Sequence, residues 1–285
     1  MTKTVHNIFS PPPAHFVGDG FRVHNFIPGI DELTMRRMDP FILLDYNSVF
    51  YFPPSETKRG VGMHPHRGFE TVTIAYKGRV AHRDNAGNSG VIRERDVQWM
   101  TAGAGILHEE YHEESYSKEG GNFQMVQLWI NLPAADKYHK PKYQAIENKN
   151  ITTKELGDNA RLEIISGEYD GLRGPAATFS PVILIRVIIK GGKSATLQLE
   201  KSYNTALIVI SGDVKVNGEE APENSFVLFN NNGTDFTVDS PGSDAEVLLL
   251  SGKPLGEPIA AAGPFVMNTR EELIRAFDDY EKGRF

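Results

Sequence analysis

The sequence predicts an all-β protein of two similar sandwiches or small barrels, set apart by where its histidines fall. Three observations predict it. Short β-patterned runs recur from end to end, turn signals separate them with almost no helix-period sequence between, and all nine histidines lie at or before His139.

The runs are FILLDY (41–46), TVTIAY (71–76), VQWM (97–100), QMVQLWI (124–130), LEIIS (162–166), VILIRVII (182–189), TALIVI (205–210), SFVLF (225–229) and AEVLLL (245–250). Asn85-Ala86-Gly87, Asn217-Gly218 and Asn232-Gly233 punctuate them as hairpin or loop turns. AYKGRVAH and VISGDVKV both read strand, Gly turn, strand, and each leads to a further apolar strand, which suggests a repeat. The polar stretch 132–150 contains two prolines and breaks the strand pattern, so the expected domains are 1–135 and 136–285. One helix follows near the C-terminal end. Thr269 and Glu272 stand at capping-box spacing, and Leu273, Phe277 and Tyr280 share a face suited to docking on a barrel wall.

Composition removes several function classes. A hydrophobic fraction of 40% supports real cores, and a formal charge of −7 without a basic block argues against charge-driven nucleic-acid binding. There is no cysteine, so disulfides, zinc ribbons and haem-attachment motifs are excluded and a metal must use His, Asp or Glu. The N-terminal stretch has no signal-type apolar core, and PVILIRVIIK is short and interrupted by Arg186. The expectation is a soluble cytoplasmic protein, also nuclear if eukaryotic, with no membrane association.

The histidines of GMHPHRGFETV carry the chemistry. His64 and His66 are residues i and i+2, so on a strand they share a face about 6.6–6.8 Å apart and can converge on one ion. Pro65 points to the other face and costs a ladder hydrogen bond, which marks a strand start or an edge. In WMTAGAGILHEEYHEE, His108 and Glu110 repeat the spacing. Two neighbouring strands thus bring three imidazoles and a carboxylate together. Glu70 and Glu109 compete with Glu110 for the carboxylate role; Glu109 faces outward if His108 and Glu110 face in, whereas strand parity does not exclude Glu70. His82 and Asp84 either orient a ligand imidazole or cap their turn. His112 with Glu113 and Glu114 reads as a solvated rim, and Phe69, Trp99 and Met100 read as core.

HPHRGFETVT, DVQWMTAGAGILHEE, QLWINLP and GPFVMNT resemble signatures of the pirin family, within the cupin superfamily. The resemblance runs from about residue 20 onward. It implies a bicupin, two β-barrels facing each other with metal in the N-terminal one only, and maps the family's H-x-H … H-x-E pattern onto His64, His66, His108 and Glu110, which favours Glu110 over Glu70. Two positions depart from common patterns: Gly103 stands where cupins in general have proline, as is usual in pirins, and Arg95 stands where the family commonly has glycine. If that backbone needs a positive φ, Arg95 is mildly strained.

Three imidazoles and a carboxylate suit one divalent transition metal, Fe(II) foremost, with Mn, Co, Ni, Cu or Zn as alternatives. An ion accepting five or six ligands keeps positions open for a substrate oxygen or dioxygen, and Glu110 can also serve as general base. Some members of the resembled family are similar to quercetin 2,3-dioxygenases, which open a flavonol ring with dioxygen and release carbon monoxide. The expected function is therefore a dioxygenase acting on a small flavonol-like aromatic. The alternative is a metal-containing transcriptional co-regulator, or a redox or metabolite sensor, acting through a protein partner.

Overall fold

The computed structural model describes residues 1–285. The early strands are β1 (Val5–Phe9), β2 (His15–Val17), β3 (Phe21–Ile27), β4 (Phe41–Phe52), β5 (Gly60–His66), β6 (Phe69–Lys77), β7 (Val80–Asp84), β8 (Ser89–Ile92), β9 (Val97–Thr101), β10 (Ile106–His112), β11 (Gly121–Asn131) and β12 (Lys142–Ile146). No helix is long and apolar enough to cross a membrane.

Two compact units form. The histidine unit comprises Pro12–Arg36, Pro40–Asn148 and Leu255–Phe285. Its seven-stranded sheet, in the order β12-β9-β6-β11-β4-β3-β2, faces a four-stranded sheet in the order β5-β10-β7-β8. The sheets remain separate, so the unit is an open, cupin-like pair of sheets rather than the closed barrel that small-barrel patterning suggests. Alternation dictates what lies between them. Along β10, Ile106, His108, Glu110 and His112 point the same way, and Thr73 of β6 reaches Glu110 from the opposite sheet. Phe21, Phe52, Val80, Tyr116 and Phe123 are buried in one apolar cluster of this unit.

The aliphatic unit comprises Met1–Pro11, Arg37–Asp39 and Lys149–Pro254. It repeats the plan with a seven-stranded and a four-stranded sheet. Its interior is filled by residues such as Leu162, Ile185, Val187, Leu207, Val209, Phe236 and Leu249, every one of them buried. Aliphatic groups dominate this core, and the unit's one histidine, His6, is exposed and paired with Asn230.

The units are interleaved, not consecutive at a single cut at 135/136. Strand β1 pairs with Phe226–Phe229 in the aliphatic unit, while residues 255–285 join the histidine unit. Buried Lys137 secures the latter segment, its Nζ donating to the Val266 and Gly68 carbonyls (2.9 and 2.8 Å) and to Asn131 Oδ1 (2.7 Å). The helix Arg270–Glu281 has the expected Thr269/Glu272 capping box and sets Phe277 against Phe265, ring centroids 4.8 Å apart.

Candidate metal centre

β5 is the edge of its sheet, which is why Pro65 is tolerated there. Its antiparallel register with β10 places His64 opposite His108 and His66 opposite Ile106, and then shifts so that Glu110 faces Val61. The extra residue lies on β5, between Val61 and His64, so the alternation that puts His108 and Glu110 on one face of β10 is unbroken.

The three imidazoles converge. Ring nitrogens of His64, His66 and His108 all lie within 4.8 Å of one another, and His64 Nε2 is 3.1 Å from His66 Nε2. Two bonds of ~2.0–2.1 Å to a common ion span at most about 4.2 Å. Closing the cluster on one ion therefore needs only small side-chain rotations. Glu110 Oε2 lies 4.0 Å from His108 Nε2, beside the three-histidine cluster.

The donor chemistry fits a metal. His64 Nδ1 donates to the Gly62 carbonyl at 2.8 Å, which fixes the tautomer and leaves the Nε2 lone pair facing the cluster. His108 is wholly buried, and neither ring nitrogen has a hydrogen-bond partner. A buried imidazole without partners is costly unless something binds it. Burial holds the His66 and His108 imidazoles well below the usual histidine range, and the adjacent imidazoles push the same way. Burial lowers His64 too, against the Gly62 hydrogen bond. All three are thus neutral, the form that ligates. Burial pushes the Glu110 carboxyl up to about 7, partly offset by Thr73. A dication beside it would favour the carboxylate instead.

The pirin family model matches residues 20–130, and the model of the pirin C-terminal cupin domain matches 184–285. A Pseudomonas aeruginosa protein that bears the name "putative quercetin 2,3-dioxygenase" is 44% identical over 99% of this chain and 98% of its own. The chain belongs to the pirin family. Pirin-1 of Arabidopsis thaliana is 35% identical over 94% of this chain and 89% of its own. The crystal structure of a quercetin 2,3-dioxygenase from Acinetobacter baumannii superposes with a TM-score of 0.94 at 42% identity, covering 100% of this chain and 99% of that one.

The pirin fold distributes the remaining acidic residues distinctly. Glu109 faces outward, as alternation predicts, and pairs with Lys58 (2.6 Å) and Arg83. On β6, Phe69 touches the His66 ring and Thr73 reaches Glu110, so Glu70 lies on the opposite face. There Thr101 Oγ1 donates to it at 2.7 Å. Asp84 stands opposite His108 in register but caps its turn, accepting from the Ala86 and Asn88 amides (2.9 and 2.8 Å). His82 stands opposite Glu110 and stacks on Tyr143, with centroids 5.1 Å apart.

His112 corrects the rim expectation. It is 1% exposed, donates from Nε2 to the Gly20 carbonyl at 2.7 Å, and stacks on Phe123 at 4.8 Å. The period-2 alternation of β10 simply continues through it. Glu113 caps the short helix Glu114–Glu119 through the Ser115 and Tyr116 amides, both at 3.0 Å. Phe69, Trp99 and Met100 are buried as expected, and Phe69 also walls the site, since it stacks on Trp129 at 4.2 Å.

The two departures from pattern have structural meaning. Gly103 adopts φ +50, and a Cβ there would lie 2.0 Å from the His139 carbonyl oxygen, so neither proline nor alanine fits the turn that leads into β10. Arg95 has φ 68, so the strain expected of a non-glycine at this turn is present.

Sequence reasoning missed Asp45, Thr73, Gln127 and Trp129. The available signal was polar residues interrupting the apolar runs at inward parity, such as Asp45 in FILLDY, Thr73 in TVTIAY and Gln127 in QMVQLWI.

Proposed function

We propose that His64, His66, His108 and Glu110 hold one divalent transition metal, Fe(II) foremost among those the donor set suits, and that the protein opens the ring of a flavonol-like substrate with dioxygen. One observation carries this reading: His108 is fully buried with two unpartnered nitrogens, next to two other neutral imidazoles and a carboxylate. The relatives named for quercetin 2,3-dioxygenase activity support the substrate class. When bound, the metal would supply a Lewis acid that fixes a substrate hydroxyl oxygen and couples the substrate's electrons to dioxygen.

The chain's own residues do the rest. Glu110, which the adjacent dication would hold as the carboxylate, takes the substrate hydroxyl proton. The Thr73 hydroxyl lies beside that carboxylate, 3.4 Å from Glu110 Oε1, while its single proton is donated to Gln127 Oε1 at 2.7 Å. Phe69 and Trp129 form an aromatic wall beside His66, its ring centroid 5.1 Å from each, and exclude water from the reacting face.

The test compares metal-replete wild type with His66→Ala for quercetin loss, oxygen uptake and carbon monoxide release on one sample. The expected result is coupled consumption and release in the wild type alone. Equal rates in both would overturn the oxygenase reading and favour the co-regulator.

A further inference from the structure

The face of the seven-stranded sheet that looks at the histidines carries a polar row that the reaction does not explain. Register places Thr73 opposite Gln127, Gln127 opposite Asp45, and Asp45 opposite Asn25, on β6, β11, β4 and β3 in turn. Cross-strand partners share a face, so all four point the way Thr73 points, towards Glu110. Thr73 Oγ1 donates to Gln127 Oε1 at 2.7 Å, which directs the Gln127 amide nitrogen onward. Asn25 Nδ2 donates to Asp45 Oδ1 at 2.7 Å, leaving Oδ2 to accept.

Gln127, Asp45 and Asn25 are half-buried, so this donor and acceptor stay within reach of a ligand. With strands ~4.7–4.9 Å apart, Asp45 lies roughly 10 Å along the sheet from Thr73. Trp129, two residues after Gln127 and on the same face, is also half-buried and flanks the row with a flat apolar surface.

We infer that Asp45 and Gln127 form a subsite for a substrate hydroxyl remote from the reacting centre, Asp45 Oδ2 accepting its proton and Gln127 Nε2 donating to its oxygen. The subsite selects an aromatic bearing hydroxyls on more than one ring over one hydroxylated only at the reacting position. The inference deepens the oxygenase reading and rests on it for the identity of the reacting end. Burial also pushes the Asp45 carboxyl up, against the Asn25 hydrogen bond and the nearby His15, as expected of a carboxylate that still wants a donor.

The experiment titrates metal-loaded, anaerobic protein with quercetin and with 3-hydroxyflavone, which lacks the remote hydroxyls. Asp45→Ala and Gln127→Met are compared with wild type, and thermal midpoint and metal content confirm that each variant is folded and loaded. The expected result is that each variant binds quercetin about 10-fold more weakly, while 3-hydroxyflavone changes by less than ~2-fold. Equal effects on the two ligands, or no effect on quercetin, overturn the subsite. Oxygen is then admitted. Selective loss of quercetin binding without any turnover in the wild type sustains the subsite and defeats the oxygenase reading; failure of the wild type to bind either flavonol defeats both.

Discussion

His64 and His108 face one another across the β5–β10 ladder as register partners, with ring centroids 4.4 Å apart. The pairing makes the cluster a property of the ladder and not of a mobile loop. Metal affinity should therefore depend on the side chains that share this inward face and be indifferent to acids on the other.

Glu110 and Glu70 test that distinction. Glu110→Gln should weaken metal binding or abolish turnover, because the variant removes the anionic donor 4.0 Å from His108 Nε2. Glu70→Gln should keep its metal. A side-by-side metal titration reads both, and the reverse ranking would refute the assignment.

Glu70 also makes a pH prediction. Burial pushes its carboxyl from the ordinary 4.5 to about 7. The folded state therefore binds this proton more tightly than the unfolded chain. Stability from this group is greatest below pH 4.5 and falls as pH rises towards 7 and beyond, by about 3 kcal/mol at most. Glu70→Gln, which can still accept from Thr101, should match wild type at low pH and be the more stable protein at pH 8. Denaturant unfolding at the two pH values checks this, and an unchanged difference across the range would contradict it.

Arg95 offers a stability gain. Its left-handed backbone costs ~1–2 kcal/mol, part of which is returned as unfolded-chain entropy when glycine replaces it. Arg95→Gly should therefore stabilise by up to ~1 kcal/mol without altering metal content. Thermal unfolding measures it, and a lower midpoint would show that the Arg95 side chain contributes more than the strain costs.

Gly103 should behave in the opposite way. Alanine there would meet the His139 carbonyl oxygen at 2.0 Å and must displace the turn preceding His108. Gly103→Ala should lower both thermal stability and metal occupancy, by several-fold for the latter. Full occupancy in a stable variant would mean that the turn does not position β10.

The architecture was legible because alternation and turn chemistry are local. Strands, the capping box at Thr269 and the outward face of Glu109 all follow from spacing within a few residues. What escaped was set by pairing between distant strands. Glu70 was ambiguous because a turn at Arg67-Gly68 separates β5 from β6, so parity with His66 does not carry across it. His112 looked like a rim residue because it is polar, yet aromatic partners from β3, β4 and β11 enclose it. The interleaving of the units was likewise hidden, since nothing local to β1 names its partner near residue 227.

The central claim is a single metal at the three histidines, and elemental analysis of protein purified without added metal tests it most directly. Wild type should contain about one equivalent of transition metal per chain, and His108→Ala, if folded, close to none. Equal content in the two proteins, or about two equivalents in the wild type, would contradict the account.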